Sequence, residues 1–515
     1  MPDPDARWRD RGARERDRST RAQVVVAVDA GTTGIRALAV DGRADVVGIS
    51  YRELTQRFPS PGLVEHDARE IWLLVEETLS ELLHRLADEG RSVAAVGITN
   101  QRETAVAWDT SSGAPLQPAI VWQDRRTARR CEELVRDGYL PLVRERTGLV
   151  LDSYFSATKW EWMLGPGGLE PSPRLALGTV DDFVLWNLTG GPDGGVHATD
   201  PSNASRTLLY DLHTGTWSGE LAELFGIPPA ALGEIRQSSG RLGQVHASVA
   251  GGVLAGVPVS GMAGDQQAAL FGHCCHLPGQ AKVTYGTGSF ILVNLGGTVP
   301  APVEGLLTTV AWKVGGTTTF ALEGAVFSSG AAIQWLRDGL HLLSETAEAG
   351  PLAESLTTNE GVYLVPAFTG LGSPWWDPDA RGVVVGITKG IGRAHLARAA
   401  VEAIAYQTRD VVDAMARAAG RQVLELRADG GAAAMDVLLQ LQADHCRMPV
   451  VRPRTTEVTA VGAALLAGLA EGVWSSLDEV AALLPGERTF EPGSGSSRAD
   501  RDYADWLRAL ERART

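Results

Sequence analysis

The chain has 515 residues, of which 44% are hydrophobic and 21% charged, an ordinary globular composition that excludes a disordered or fibrous chain. Its 47 basic and 62 acidic residues leave a net charge of −15, which argues against a protein built mainly to bind nucleic acid or anionic lipid. Four cysteines without a CxxC pair indicate buried thiols in a reducing cytoplasm rather than a disulfide framework.

The two features that would indicate export or membrane insertion are missing from the sequence pattern. Residues 1–22 combine seven arginines with five acidic residues and have no apolar core, so they predict a disordered tail rather than a signal peptide. The longest run of small and apolar residues, 460–470, is about half of a membrane span. The sequence therefore predicts a cytoplasmic protein without a membrane span.

Two hairpins with glycine-rich tips are the clearest local signals. Residues 24–29 form an apolar strand that ends at Asp29, and after the turn at 30–34 the chain alternates back into a second strand over 35–41. About 255 residues later, residues 281–285, the turn 286–289 and residues 290–294 repeat the design. The repetition predicts two related halves that face each other across a cleft.

Strands alternate with helices along the rest of the chain, which predicts an α/β protein. The pattern predicts helices over 71–86, 395–418, from 435 onward and, as the last one, 459–469; strands over 93–99, 258–263 and 425–428; and a strand running into a helix over 178–188. A Gly/Ser-rich stretch at 492–497 is typical of a surface loop. We predict domains at 23–271 and 272–500, with a C-terminal helix or tail at 501–515.

The sequence contains no Walker A loop, because none of its four lysines stands between a glycine and a serine or threonine. If the chain handles ATP, it must hold the phosphates in another way. Unpaired backbone N–H groups at glycine-rich hairpin tips form anion-binding concavities, and Thr32, Thr33, Thr287 and Arg36 add donors. Ordinary β-turns are the alternative.

Three further segments carry side chains suited to a small polar ligand. Asp265 ends a buried strand, where ligands of α/β folds usually bind, although helix capping is the plain alternative. Arg102 and Glu103 follow another strand and can bracket a polyol, one donating and the other accepting hydrogen bonds, although a surface ion pair is the alternative. Trp122 suits either the core or an apolar wall for a polyol.

Taken together, the sequence resembles the FGGY family of carbohydrate kinases, and within it the glycerol kinases, from about residue 24 to 498. The matching segments are GITNQRET (97–104), GMAGDQQAALFG (261–272), ALEGAVF (321–327), PAFTGLG (366–372), VEHD (64–67), DPSNASR (200–206) and AYQTRD (405–410). The resemblance implies two ribonuclease H-like, actin/hexokinase-like ATPase domains that flank a central cleft. It also implies transfer of the ATP γ-phosphoryl group to glycerol with Mg²⁺, no tightly bound organic cofactor, and a homodimer or homotetramer.

The resemblance also implies roles for individual residues. Asp265 falls at the general base, and the other glycerol-binding positions are Arg102, Glu103, Tyr154 and Gln266, with Trp122 and Phe290 as apolar walls. The nucleotide-binding positions are Thr32, Thr33, Gly34, Arg36, Thr287, Gly330, Gln334, Gly431 and Met435. Asp29 and Asp265 fall near Mg²⁺, as ligands either directly or through water.

The chain departs from the family pattern at three places. The first hairpin has Ala30, Gly34 and Ile35 where glycerol kinases often have Gln, Ser and Ser. Met435 replaces an Asn that usually contacts the adenine region, which bears on nucleotide preference. Residues 251–256 lack the Arg through which some bacterial relatives bind fructose 1,6-bisphosphate, so we expect a titration with that sugar phosphate to leave activity unchanged. His246 is assigned no role.

Two alternatives to phosphorylation of glycerol stay open at the level of sequence. A related kinase would act on another small polyol or ketose, such as dihydroxyacetone, erythritol or xylulose. A catalytically silent, actin-like ATP sensor or scaffold is the second alternative, and the presence of both Asp29 and Asp265 argues against it.

Overall fold

The structure is a computed structural model, and it describes residues 23–493 and 496–514. The tail predicted over residues 1–22 lies outside the described residues. Within the described ranges, no helix is both long and apolar enough to cross a membrane.

The strands in chain order are β1 Gln23–Ala30, β2 Gly34–Asp41, β3 Val46–Glu53, β4 Glu65–His66, β5 Ser92–Asn100, β6 Val106–Asp109, β7 Ala119–Ile120, β8 Leu175–Gly178, β9 Ala198–Thr199, β10 Tyr210–Asp211, β11 Thr216–Trp217, β12 Glu234–Ile235, β13 Ser239–Gln244, β14 Pro258–Gly264, β15 Gln280–Tyr285, β16 Ser289–Gly296, β17 Leu307–Val314, β18 Thr317–Val326, β19 Tyr363–Val365, β20 Val383–Val385, β21 Glu425–Asp429, β22 Val450–Arg452 and β23 Arg488–Phe490.

The α-helices in chain order are α1 Ala68–Asp88, α2 Ala128–Arg136, α3 Leu140–Thr147, α4 Ser156–Leu164, α5 Val180–Leu188, α6 Pro201–Ala204, α7 Gly219–Leu224, α8 Asp265–Gly272, α9 Gly330–Asp338, α10 Ala349–Glu354, α11 Arg393–Ala419, α12 Asp436–Cys446, α13 Val458–Ala470, α14 Leu477–Leu483 and α15 Ser496–Ala513. This alternation of strands and helices confirms the predicted α/β class, and both predicted hairpins are present as β1–β2 and β15–β16.

The chain divides into two compact units, each with its own core. Unit 1 contains residues 23–274 together with Thr309–Phe320 and Glu457–Leu484. Unit 2 contains Cys275–Thr308, Ala321–Thr456 and the chain from Pro485 onward.

The central sheet of unit 1 brings the ends of three parallel strands to one edge. Its order is β13-β14-β5-β1-β2-β3, with β1 and β14 both parallel to β5. Ala30 of β1 and Gly264 of β14 each pair with Asn100 of β5, so the three strands end in register. The residues that follow these strands therefore collect at a single edge of the sheet.

The sheet of unit 1 is stable because its central strands are apolar on both faces. Residues Val24–Val28 of β1 are fully buried. Helix α1 begins at the N-cap Asp67 and packs its apolar stripe on the sheet at a helical spacing of three to four residues, with buried side chains at Ile71, Val75, Leu79, Leu82 and Leu86.

Helix α13 belongs to unit 1, although it lies far beyond the domain division predicted at residues 271 and 272. A Cβ atom on Gly97 would lie 2.2 Å from the carbonyl oxygen of Ala463, and one on Gly261 would lie 2.5 Å from the amide of Ala467. Glycines in β5 and β14 thus let the backbone of α13 approach the sheet directly. A segment almost 200 residues beyond the predicted boundary is part of the first core for this reason.

Unit 2 repeats the arrangement around the second hairpin, with strand order β23-β22-β21-β15-β16. Strands β15 and β21 are parallel, and Thr284 pairs with Asp429. Gly430 follows β21 with a φ of +87°, and a Cβ atom there would lie 2.4 Å from the carbonyl oxygen of Tyr285. Only glycine suits this turn, which sets the tip of the hairpin beside the end of β21.

The C-terminal end of the chain differs from the predicted order of elements. Helix α13 is not the last helix, because α14, β23 and α15 follow it. Helix α15 begins at Ser496, inside the predicted loop 492–497, of which residues 494 and 495 lie outside the described residues. The helix is held by burial of Trp506, whose ring centroid lies 5.6 Å from that of Tyr406 in α11.

Candidate active site

Arg102 is the centre of a polar cluster at the sheet edge of unit 1. Its side chain is 2% exposed, and its Nε atom lies 3.1 Å from Oδ1 of Asp265 and 3.8 Å from Oε1 of Glu103. The other nitrogens of the guanidinium donate to the Tyr154 hydroxyl and to Oε1 of Gln267, each at 3.3 Å. One cation thus joins two carboxylates, a phenol and an amide, as the five-donor fork of arginine permits.

Glu103 is held in an unusual backbone conformation. Its φ is +61°, in the left-handed region that non-glycine residues rarely adopt. Its Oε1 atom accepts a 2.6 Å hydrogen bond from Nε of Arg206, a residue that is fully buried. The surroundings of Glu103 therefore hold its carboxylate in one position and compensate for the strain in its backbone.

Asp265 begins helix α8 directly after β14, at the edge predicted from the sequence. Its Oδ1 atom accepts a hydrogen bond of 2.7 Å from the amide of Gln266. About a third of its side chain is exposed, whereas the side chain of Glu103 is 1% exposed. Of the two carboxylates beside Arg102, Asp265 is therefore the one that reaches solvent.

Two aromatic side chains stand beside this polar cluster. The rings of Trp122 and Tyr154 are 5.6 Å apart and meet edge to face at 75°. The indole Nε1 of Trp122 donates to the hydroxyl of Thr32, at 3.0 Å, on the tip of the first hairpin. The predicted apolar wall and the predicted phosphate hairpin thus touch each other within unit 1.

The hairpin β1–β2 carries a second cluster of charges. Asp29 is 8% exposed, and Nη1 of Arg36 lies 3.1 Å from its Oδ2 atom and 3.0 Å from Oε2 of Glu457. Burial above all raises the pKa of Asp29 to about 6; Arg36 opposes this rise, and the charges of Asp265 and Glu457 add to it. Thr33 is exposed at the tip, and Gly34 lies under the ring of Tyr51.

The carboxylates of unit 1 fit a magnesium ion that is carried mainly by phosphate oxygens. Within residues 23–493 and 496–514, no group of three or more His, Cys, Asp or Glu side chains is arranged to hold a metal ion alone. Mg²⁺ is commonly bound by one or two carboxylates together with substrate phosphates. The buried carboxylate of Asp29 and the partly exposed one of Asp265 are the candidates for such a donor set.

A pocket of about 710 Å³ in unit 2 contains the other half of the predicted nucleotide set. Thr287, Gly330, Gln334, Gly431 and Met435 all line it. The rest of its lining combines apolar residues such as Ile333 and Pro351 with the charged residues Glu354, Asp436 and Arg452, of which the last two pair with each other at 2.7 Å. A volume and lining of this kind suit a nucleoside.

Helix α9 begins at this pocket, directly against the second hairpin. The amide of Gly330 donates to the carbonyl of Gly286, and the amide of Ala331 to that of Thr287, each at 3.0 Å. A Cβ atom on Gly330 would lie 2.6 Å from the Gly286 oxygen. The close approach needs glycine at position 330 and fixes Thr287 at the pocket.

The structure gathers most of the predicted site residues, in two sets. Unit 1 contains the predicted polyol-binding residues other than Phe290, together with the first hairpin, and unit 2 contains the pocket. Phe290 is half-buried on β16 in unit 2 and is not among the residues that line this pocket. The sequence analysis assigned no role to four residues near the site: Arg206, Gln267, Glu457 and Lys159. The chain has only four lysines, and this rarity is the signal that could have drawn attention to Lys159.

Comparison with known proteins identifies two family domains along the chain. Models of the N-terminal and C-terminal domains of the FGGY family of carbohydrate kinases match residues 24–272 and 281–471. A glycerol kinase of Dechloromonas aromatica is 52% identical over 95% of this chain and 97% of its own length, and one of Xanthomonas campestris is 48% identical over 95% and 97%. The crystal structure of Plasmodium falciparum glycerol kinase with ADP superposes with a TM-score of 0.90 at 32% identity, covering 96% of this chain and 98% of that one. The chain therefore belongs to the FGGY family of carbohydrate kinases.

Proposed function

We propose that this protein transfers the γ-phosphoryl group of ATP to a terminal hydroxyl of glycerol, giving sn-glycerol 3-phosphate and ADP. The observation that carries the proposal is the cluster around Arg102, in which one guanidinium lies within 3.8 Å of the carboxylates of Asp265 and Glu103. Trp122 and Tyr154 add an apolar wall. Glycerol has three hydroxyl groups and a small C–H surface. The charged groups of the cluster can hydrogen-bond the hydroxyls, and the two aromatic rings can contact the C–H surface. The naming of the relatives as glycerol kinases supports the same substrate.

Arg102 and Glu103 bind the hydroxyls that do not react. The guanidinium donates to hydroxyl oxygens, and the carboxylate of Glu103 accepts from hydroxyl hydrogens. Because Arg206 holds Glu103 at 2.6 Å, the acceptor is oriented before the substrate arrives. Gln266 is the remaining residue of the proposed glycerol-binding set within unit 1.

Asp265 acts as the general base. The terminal oxygen of glycerol attacks the γ-phosphorus, the bond from that phosphorus to the bridging oxygen breaks, and ADP leaves with the electron pair. The proton of the attacking hydroxyl passes to the carboxylate of Asp265. Arg102, 3.1 Å from that carboxylate, keeps it oriented before the reaction.

Phosphoryl transfer depends mainly on positioning and neutralisation of charge, so no organic cofactor is required. Thr32, Thr33, Gly34 and Arg36 hold phosphate groups at the first hairpin, and the pocket of unit 2 holds the nucleoside. Mg²⁺, when bound with ATP near Asp29 and Asp265, neutralises negative charge on the phosphates. Because the reaction consumes ATP, we place the protein in the cytoplasm. Assembly as a homodimer or homotetramer stays a prediction.

The test is a coupled assay of ADP release with Mg-ATP over glycerol, dihydroxyacetone, erythritol and xylulose. We expect glycerol to give the highest kcat/KM. Asp265→Asn should lower kcat by roughly 10²- to 10⁴-fold, as expected for loss of a general base, with little change in the calorimetric affinity for glycerol. Asp478→Asn changes an exposed acid in the first turn of α14 and serves as the matched control.

The other outcomes separate the alternatives. Preferred turnover of another polyol or ketose would keep the chemistry and replace the substrate. If the rate of ADP release did not depend on any added alcohol, or if ATP and glycerol bound without forming product, the proposed function would be rejected and an ATP sensor favoured.

A further inference from the structure

Lys159 is a buried cation behind the polyol site that the proposed reaction does not use. It lies on helix α4 and is fully buried. Its Nζ atom donates to three backbone carbonyl oxygens, those of Tyr154 at 2.5 Å, Phe155 at 3.1 Å and Glu103 at 3.4 Å. An ammonium has three N–H donors, so these carbonyls use its full capacity.

The three carbonyls belong to two separate chain segments. Glu103 follows β5, whereas Tyr154 and Phe155 immediately precede α4. Each segment contributes one side chain to the site, a carboxylate from Glu103 and an aromatic ring from Tyr154. Lys159 is therefore a tie between the acidic side and the aromatic side of the polyol site.

The strained backbone of Glu103 is held in place by donors to its carbonyl. Its φ is +61°, and besides Lys159 the hydroxyl of Ser156 donates to this carbonyl at 3.1 Å. A left-handed conformation is unfavourable for a non-glycine residue and persists only where the surroundings enforce it. Two donors from the first turn of α4 enforce it here.

Burial of Lys159 has a desolvation cost that its hydrogen bonds offset. Burial lowers the pKa of Lys159 to about 8, although the charges of Glu103, Asp124 and Asp152 oppose the effect. A methionine of similar length would fill the same space but would leave the three carbonyl oxygens without this donor, and unsatisfied buried polar groups are destabilising. The experiment must therefore separate the role of Lys159 in the site from its contribution to stability.

We infer that Lys159 is a positioning residue for the polyol site, which sets the place of Glu103 relative to Tyr154 and thereby the affinity for glycerol. The inference rests on the proposed function. Lys159 touches neither substrate nor nucleotide in this scheme, so its loss should weaken glycerol binding and leave the affinity for Mg-ATP unchanged.

The experiment compares steady-state kinetics of Lys159→Met with those of the wild type, varying glycerol and Mg-ATP separately. We expect the KM for glycerol to rise by about tenfold or more, with the KM for Mg-ATP unchanged and kcat within about threefold. Ser156→Ala removes one donor to the same Glu103 carbonyl and should raise the KM for glycerol by roughly two- to fivefold. It also keeps the inference testable if Lys159→Met does not fold.

Met163→Ala provides the control for stability, because Met163 is a fully buried residue of the same helix. It should lower the melting temperature without changing the KM for glycerol. An unchanged KM for glycerol in a folded Lys159→Met variant, or in Ser156→Ala where Lys159→Met does not fold, would overturn the inference while leaving the proposed function intact. Equal rises in KM for Met163→Ala and Lys159→Met would also overturn it. A wild type without glycerol-dependent turnover would reject the proposed function and the inference with it.

Discussion

Gly462 lies where helix α13 touches helix α8, and its replacement by alanine tests how the position of Asp265 is determined. A Cβ atom at position 462 would lie 1.9 Å from the carbonyl oxygen of Ala268 and 3.0 Å from the amide of Gly272. Both neighbours are backbone atoms, so neither can rotate away. Because ordinary contact begins near 3.4 Å, the two helices must separate locally by about 1.5 Å.

The displaced helix is the one that begins at Asp265. We expect Gly462→Ala to lower the free energy of unfolding by about 1–3 kcal/mol, the usual cost of overpacking. Misplacement of a catalytic group by about 1 Å can cost roughly 10²-fold in rate, so kcat/KM for glycerol should fall about 10- to 100-fold. Urea unfolding measures the first effect and the coupled assay of ADP release the second.

Two glycine variants serve as controls for this experiment. Gly468→Ala, in the same helix, would meet the ring of Trp474 at 2.1 Å and no catalytic element, so stability should fall while kcat/KM of the folded protein is retained. Gly219→Ala in α7 would meet nothing within 4 Å and should change neither. Wild-type kcat/KM in a destabilised Gly462→Ala variant would refute the argument that this helix contact positions Asp265.

Two further predictions concern buried charges. Arg206→Met leaves Glu103 without its 2.6 Å donor. We expect the free energy of unfolding to fall by about 3–5 kcal/mol and the KM for glycerol to rise. Thermal unfolding and steady-state kinetics measure the two effects, and an unchanged KM would contradict the prediction. Burial raises the pKa of Asp410 to about 7, although Tyr503 and Trp375 donate to it, so the folded protein binds more protons than the unfolded chain between about pH 4 and 7. Stability should therefore decline as pH rises through that window, by up to about 4 kcal/mol, and Asp410→Asn should remove this decline; parallel profiles of melting temperature against pH for both proteins would contradict the reasoning.

The hairpins and the sheet edge could be predicted because their causes are local. An apolar strand that ends at a glycine-rich turn specifies a hairpin wherever it occurs, and both hairpins are present. Arg102 and Asp265 each follow a buried strand, so parallel pairing with a common register was enough to bring them together. Neither prediction depends on which distant segments of the chain pack against each other.

The remaining features depend on approaches between distant segments. Helix α13 joins unit 1 through Gly97 and Gly261, although it lies more than 190 residues further along the chain than either. In the sequence, each glycine is consistent with an ordinary strand position. The requirement for glycine follows only from the helix backbone that packs against it. In the same way, Arg206 lies 103 residues from Glu103, and no local pattern predicts their ion pair.

The environments of the two carboxylates beside Arg102 account for their different proposed roles. Glu103 is 1% exposed and is fixed by Arg206 on its carboxylate and by Lys159 on its carbonyl, so its geometry is set before any ligand binds. Asp265 lies 3.1 Å from the guanidinium of Arg102 and keeps about a third of its side chain exposed. A buried carboxylate held by an arginine suits the binding of a hydroxyl that does not react, whereas one that retains an open side can approach the hydroxyl that must lose its proton. In the proposed reaction, Glu103 is therefore the ligand and Asp265 the base because their burial differs.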